Sequence, residues 1–352
     1  MSAAGSSPRK RLAVVLFNLG GPDGPRSVRP FLRNLFSDKA IIGLPGALRI
    51  PLASFIAAGR QRSATANYAR MGGGSPILKE TTAQAEALQA ALAAALPDQE
   101  LRVFIAMRYW EPLTEKTAAE VAAFAPDEVL LAPLYPHYST TTTGSSLEAW
   151  TKAYDGPGRV RSLCCYPLAA DFIEAHVQAI RDAFVAAGSP PEMRLLFSAH
   201  GLPQRVVDAG DPYQSQIEAT AQAVAERLGP EWDWKICYQS RVGPLKWLGP
   251  STVDAMIEAA EEGLGVIVTP IAFVSEHIET LVELDHDYAA IAAAQGCPNY
   301  VRVPALGVRE AFIAALSKML AERLAHEEAV RPEGVACQAG YSKCPYRAQR
   351  HH

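Results

Sequence analysis

Residues 11–22 read RLAVVLFNLGGP, and this stretch decides the architecture. Leu12 to Phe17 form an uncharged aliphatic run, and Asn18-Leu19-Gly20-Gly21-Pro22 closes it with a turn. An apolar run bounded in this way is the pattern of a strand covered on both faces. Arg9-Lys10-Arg11 ahead of it imitates the basic start of an export signal. The run is short, however, and no small-residue cleavage site follows, so it is assigned to a first buried strand.

The same pattern recurs down the chain. Strands are expected at Leu12–Asn18, Leu101–Met107, Glu128–Leu134, Val160–Cys165, Arg194–Ala199, Trp234–Tyr238, Gly265–Ile271 and Tyr300–Pro304. Helical periodicity fills the gaps at about Glu80–Ala95, Thr117–Ala125, Asp171–Ala187, Tyr213–Leu228, Thr252–Glu262 and Ser275–Ala294, with a last helix at Arg309–His326. Strand–helix alternation predicts an α/β protein of parallel sheets flanked by helices. The turn-rich Tyr154-Asp155-Gly156-Pro157-Gly158 suggests a junction, giving an N-terminal half over 8–155 and a C-terminal half over 156–330. The last helix packs on either half in this reading, and residues 1–8 and 331–352 are expected to be loose tails. No sequence repeat relates the halves.

Composition narrows the function. A length of 352 residues fits about two domains. Hydrophobic residues make up 49% and charged residues 20%, which excludes a disordered chain. With 33 basic and 37 acidic residues the net charge is −4, so a broad nucleic-acid footprint is not expected. Six cysteines at irregular spacing are too few for a disulfide scaffold and suit a reducing, cytoplasmic compartment. The mean hydropathy, +0.01, is high for such an enzyme. Its greasiest contributor is Ala40–Gly59, where Pro45, Arg49 and Pro51 argue against a membrane span. The segment suits a membrane surface, the lip of an apolar pocket, or a helical hairpin on a core; composition alone does not choose.

In parallel sheets, ligands bind beyond the carboxyl ends of strands. Those ends carry aromatics, hydroxyls and few charges here, the makeup of an apolar pocket with sparse polar anchors. His200, between a buried run and Gly201-Leu202-Pro203, is the leading catalytic candidate, suited to proton acceptance or metal ligation. Glu276, Glu279, Glu283 and Asp287 follow at spacings of three, four and four, a stripe of carboxylates on one predicted helix. Such a stripe is ordinarily a solvated face. Here apolar neighbours and His277 and His286 favour a divalent-cation or proton path at least equally. Cys337 and Cys344 are the only tail cysteines, and a cluster needs four ligands, so an iron–sulfur centre is not expected. Gly72-Gly73-Gly74-Ser75-Pro76 lacks the Lys and hydroxyl of a phosphate loop.

Together, FNLGGP (17–22), YARMGGGSPI (68–77), MRYWEPLTE (107–115), YPHYSTTTTGSS (135–146), FSAHGLP (197–203), GDPY (210–213), QSRVGPLKWLGP (239–250) and AFVSEHIETLVELD (272–285) resemble the ferrochelatases, over about residues 11–325. These enzymes insert ferrous iron into protoporphyrin to make haem. The resemblance implies two similar Rossmann-like, chelatase-type halves with the porphyrin cleft between them. It implies that His200 and Glu279 bind iron or abstract protons, and that Glu276, Glu283 and Asp287 line a proton or metal route. It matches Leu19, Arg60, Tyr68, Ser75, Arg108, Tyr109, Tyr135, Ser139, Trp247, Phe273 and His277 to porphyrin contacts, with Arg60 suited to a propionate. Residues 40–75 become the porphyrin lip. Some family members carry a carboxyl-terminal [2Fe–2S] cluster, and this chain has Tyr346 where they can carry cysteine. The expectation is therefore an enzyme with Fe²⁺ and protoporphyrin as substrates, no permanently bound cofactor, no nucleic-acid partner and peripheral membrane contact. Oligomeric state stays open. The alternatives are a coproporphyrin enzyme and a non-catalytic tetrapyrrole or metal carrier.

Overall fold

The computed structural model describes residues 9–241, 243–334 and 340–349. In chain order, β1 (Lys10–Asn18), α1 (Val28–Phe36), α2 (Gly46–Ala69), α3 (Ile77–Ala95), β2 (Gln99–Met107), α4 (Thr114–Phe124), β3 (Glu128–Pro133), a short π-helix (Thr140–Gly144), α5 (Ser145–Ala153) and β4 (Arg159–Leu163) come first. There follow α6 (Ala170–Ala186), β5 (Met193–His200), α7 (Gln204–Asp208), α8 (Tyr213–Leu228), β6 (Asp233–Gln239), α9 (Thr252–Glu261), β7 (Gly265–Pro270), a second π-helix (Glu279–Tyr288), α10 (Ala289–Ala294), β8 (Tyr300–Arg302), α11 (Glu310–Leu324), β9 (Val330–Arg331) and α12 (Pro345–Gln349).

The strands form two sheets, ordered β2-β1-β3-β4-β9 and β6-β5-β7-β8, and every pairing is parallel. Leu12 to Asn18 of β1 are buried throughout, as expected of a central strand with both faces covered. Both sheets wind alike, since 6-5-7-8 repeats the order 2-1-3-4. In each, the chain leaves its first strand to one side and returns on the other. The crevice this reversal opens lies beyond β1 and β3 in one sheet and beyond β5 and β7 in the other. Four strand ends therefore converge on the site: Asn18, Pro133, His200 and Pro270.

One core joins the sheets. Leu16 of β1, Leu88 of α3, Phe172 and Ile180 of α6, Phe197 of β5, Ile217 of α8 and Phe312 and Leu316 of α11 belong to a single buried cluster. Helix α11 packs on both α3 and α6. A buried polar network reinforces the join. Gln84 donates to the Val274 carbonyl (2.8 Å) and the Gly307 carbonyl (3.1 Å), and accepts from Ser275 Oγ (2.8 Å). Asn18 donates to Thr81 Oγ1 at 3.0 Å and to Ser275 Oγ at 3.3 Å.

Three features differ from the sequence expectation. β4 pairs with β3 in the first sheet, so the turn at 154–158 does not separate the sheets; the crossing comes at α6. The second departure is at the carboxyl end, where Val330 and Arg331 pair with Ser162 and Leu163 as an edge strand of the first sheet. Finally, α2 runs unbroken from Gly46 to Ala69, a helix the periodicity does not predict, with Pro51 early enough to be absorbed. Ala53 and Ala57 are fully buried there and let α1 approach closely.

Candidate active site

His200 is the last residue of β5, and its backbone is held by Tyr213, whose hydroxyl donates to the His200 carbonyl at 3.1 Å. Its Nδ1 lies 2.6 Å from the Gly201 carbonyl. A carbonyl only accepts, so Nδ1 carries a proton, and in the neutral ring the Nε2 lone pair is left bare. Nε2 faces Glu279 Oε1 at 3.7 Å. Gly201 is required beside it, because a Cβ there would meet the Gln239 carbonyl at 3.0 Å and the Trp247 ring at 3.2 Å.

Glu279 opens the second π-helix, whose i→i+5 bonding marks many functional sites. Its other oxygen, Oε2, is 3.7 Å from His277 Nε2 and is buried with no hydrogen-bond donor among the described residues. His277 donates Nδ1–H to the Ser275 carbonyl (3.1 Å) and packs its ring on Phe273, centroids 4.5 Å apart. Burial opposes charging His277, yet the facing Glu279 carboxylate and the Ser275 carbonyl raise its pKa above the ordinary histidine value. Burial likewise opposes ionising Glu279, but the two flanking imidazoles hold its pKa below that of an ordinary glutamate. Glu283, one turn on, goes the other way. Burial and the Glu279 charge raise its pKa, against hydrogen bonds from Ser240 (2.6 Å) and Gln239 (3.2 Å). The two carboxyls are thus pushed apart, the Glu279 pKa downward and the Glu283 pKa upward.

The carboxylate stripe expected from spacing does not form. Glu276 lies ahead of the π-helix and accepts from Arg302 Nη1 (2.5 Å) and the Ala305 amide (2.9 Å). Asp287 pairs with Arg70 at 2.7 Å near the surface. Only Glu279 and Glu283 remain directed at the cleft. An α-helical stripe requires i,i+4 winding from residue 275, and the backbone instead adopts the wider π winding from residue 279.

The matched porphyrin contacts divide. Leu19 and Tyr68 pack together with Ile278, next to Glu279, and burial plus the Glu279 charge raises the Tyr68 pKa. Trp247 lies over Gly201, and Phe273 over His277. Ser75 packs against Gly21, at the end of the first strand's turn. Arg60 is exposed, its guanidinium 5.8 Å from the Phe36 ring. Arg108 and Tyr109 both donate to Asp38 at 2.8 Å, and Tyr109 shares its cluster with Leu19, Tyr68 and Ile278. Tyr135 packs beside the Trp150 core, and Ser139 is buried, donating to Asp211 at 3.0 Å.

Reasoning from sequence missed Asp38, Asp211, Gln239, Ser240 and Arg302. Two of these leave a sequence signal: Asp38 is the lone acid between residues 24 and 70, and Arg302 is the one charge in the apolar strand β8. Among the described residues no group of three or more His, Cys, Asp and Glu side chains could hold a metal ion. Cys164, Cys165 and Tyr138 form one buried cluster with Tyr346 packed against it, and Cys344 is also buried. Cys337 lies outside the described residues.

A family model described as Ferrochelatase matches residues 11–324. A protein named Ferrochelatase from Phenylobacterium zucineum is 59% identical over 337 residues, covering 96% of this chain and 98% of that protein. One of the same name from Caulobacter vibrioides is 59% identical over 340 residues, covering 96% and 98%. Among solved structures, the sirohydrochlorin chelatase SirB from Bacillus subtilis in complex with cobalt aligns with a TM-score of 0.51 at 10% identity, covering 89% of this chain and 95% of that one. At that identity the likeness speaks for the fold alone.

Proposed function

The chain belongs to the ferrochelatase family, and from that premise we propose that it inserts Fe²⁺ into protoporphyrin, the terminal step of haem formation, with His200 and Glu279 as the reacting pair. Both iron and porphyrin are substrates. Insertion displaces two pyrrole protons and strips water from the metal, so it requires a proton acceptor and a weak transfer ligand. The observation that carries the assignment is the orientation of His200: the Gly201 carbonyl fixes the proton on Nδ1 and leaves Nε2 open toward Glu279.

The bare Nε2 accepts a pyrrole proton. The ionised Glu279, short of hydrogen-bond donors, is a ready anionic partner for Fe²⁺ or for the second proton. Glu283, in reach of Ser240 and Tyr288, then passes protons outward. Leu19, Tyr68, Trp247, Phe273 and His277 supply an apolar wall suited to a flat macrocycle. Glu276 and Asp287, each held by an arginine, support the path from outside it.

Protoporphyrin is favoured over coproporphyrin by the lip. Leu44, Leu48, Ile50, Leu52 and Phe55 are exposed, a poor setting for the extra propionates of coproporphyrin. Such a surface suits peripheral contact with a bilayer, from which an insoluble porphyrin is taken. No described helix is long and apolar enough to cross a membrane.

The test is anaerobic mixing of protein, Fe²⁺ and protoporphyrin, with haem followed by absorbance. Wild type is expected to form haem above background, and His200→Ala to bind porphyrin without turnover. Binding without turnover by the wild type itself would select the carrier reading, and wild-type rates in His200→Ala would remove His200 from the mechanism.

A further inference from the structure

The charge of this protein is unevenly placed. Residues 24–70 hold eight basic side chains (Arg26, Arg29, Arg33, Lys39, Arg49, Arg60, Arg62 and Arg70) and one acid, Asp38. That is a net +7 inside a chain of net −4, so the remaining residues sum to −11. Asp38 is already engaged by Arg108 and Tyr109 and neutralises none of the others.

Arg29 and Arg33 fall one turn apart on α1, an arrangement that costs a helix about 0.2–0.5 kcal/mol when nothing lies between the charges. Neither side chain has a hydrogen bond or ion pair among the described residues. They line a cleft of about 380 Å³ with Pro30, Ser54 and Ala57, between α1 and α2. Phe55, next to Ser54, is 78% exposed, and Leu48 and Leu52 continue the same stripe of α2, with Leu48 62% exposed. The cationic cleft thus flanks the apolar stripe of the lip, with no acid between them.

We propose that the α1–α2 cleft seats the phosphate of an anionic phospholipid headgroup on Arg29 and Arg33 while Leu48, Leu52 and Phe55 enter the acyl boundary. The inference rests on the reading of the lip as a membrane-facing surface and adds a lipid class and a seat. An anionic bilayer is the occupant because it alone satisfies both features at once: the interfacial phosphates meet the arginines, and the chains meet the apolar stripe. The chain's overall negative charge would repel such a bilayer from other directions, so the patch also sets the orientation of approach.

Full-length protein would be sedimented with phosphatidylcholine vesicles, with and without phosphatidylglycerol. The expected result is tighter binding to the anionic vesicles, weakening as salt is raised. The double variant Arg29→Gln/Arg33→Gln should lose on the order of thirtyfold in affinity for anionic vesicles, at about 1 kcal/mol for each cation near the surface, and nothing for phosphatidylcholine. Its rate with a water-soluble porphyrin in the absence of vesicles should equal wild type, since neither arginine belongs to the site. Leu48→Ser/Phe55→Ser should lose binding to both vesicles. A double arginine variant that binds anionic vesicles like wild type overturns the proposal, as does displacement from the vesicles by inorganic phosphate beyond that by sodium chloride at equal ionic strength, which would make the free anion the ligand. Equal wild-type binding to both vesicles overturns it and leaves the lip reading standing; no vesicle binding at all overturns both.

Discussion

Arg302 grips Asp285 side-on, Nε to Oδ1 at 2.7 Å and Nη2 to Oδ2 at 2.9 Å, and so ties the edge strand β8 to the π-helix that carries Glu279 and Glu283. Its remaining nitrogen reaches Glu276. One guanidinium therefore fixes the π-helix and the loop leading into it.

Arg302→Met should destabilise the protein by about 3 kcal/mol, because it leaves two partly buried carboxylates without their cation. The urea midpoint checks this. Below that midpoint, kcat should fall while the KM for porphyrin holds, since the substitution displaces Glu279 and not the apolar wall.

The opposed shifts of Glu279 and Glu283 give a signed pH effect. A carboxyl whose folded pKa is raised, as for Glu283, is most favourable to folding below its unfolded value, and that contribution is lost as pH rises through the folded pKa. Glu283→Gln keeps a hydrogen-bonding oxygen and removes the titration. It should therefore raise the thermal midpoint at pH 7 relative to wild type, with the gain vanishing below the ordinary glutamate range near pH 4.5. Thermal scans at both pH values test it, and an equal gain at each would contradict the shift.

Gln84→Leu preserves volume, strands the Gly307 carbonyl, and leaves the Val274 carbonyl only its bond from the Gly307 amide and the Ser275 hydroxyl only its bond from Asn18. A loss of about 2 kcal/mol is expected for the buried groups left unpaired. Because Ser275 lies two residues before His277, the variant should also slow metallation, measured at a temperature where it remains folded.

Tyr346, and not a further thiol, packs against the buried Cys164, Cys165 and Tyr138. Protein isolated anaerobically should accordingly be colourless, with no iron or sulfide on analysis. Stoichiometric acid-labile sulfide would reverse that expectation.

Much of this was legible in the sequence. The uncharged run from Leu12 to Phe17 and its seven counterparts placed eight of the nine strands, because burial on both faces leaves a continuous apolar signature. His200 was legible from its position at a strand end. The ninth strand, Val330–Arg331, is two residues long and owes its existence to the edge of β4, so no local pattern encodes it. The π-helix escaped for a related reason: residues 275–288 satisfy α-helical periodicity, and the wider winding follows from anchors distant in sequence, such as Arg302 on Asp285 and Tyr300 on the Leu284 carbonyl at 2.6 Å. The shared bond of Arg108 and Tyr109 to Asp38 left no local signal, since that partner lies some 70 positions away.

The edge position of β9 has a consequence for biosynthesis. The first sheet gains its outermost strand only after the second sheet has been synthesised, so a nascent chain on the ribosome presents an open β4 edge until residue 331 emerges. An unpaired edge invites pairing with other chains. Premature termination between α11 and β9 would release a polypeptide holding every residue of the proposed active site and an unguarded strand, a product more prone to self-association than to inactivity.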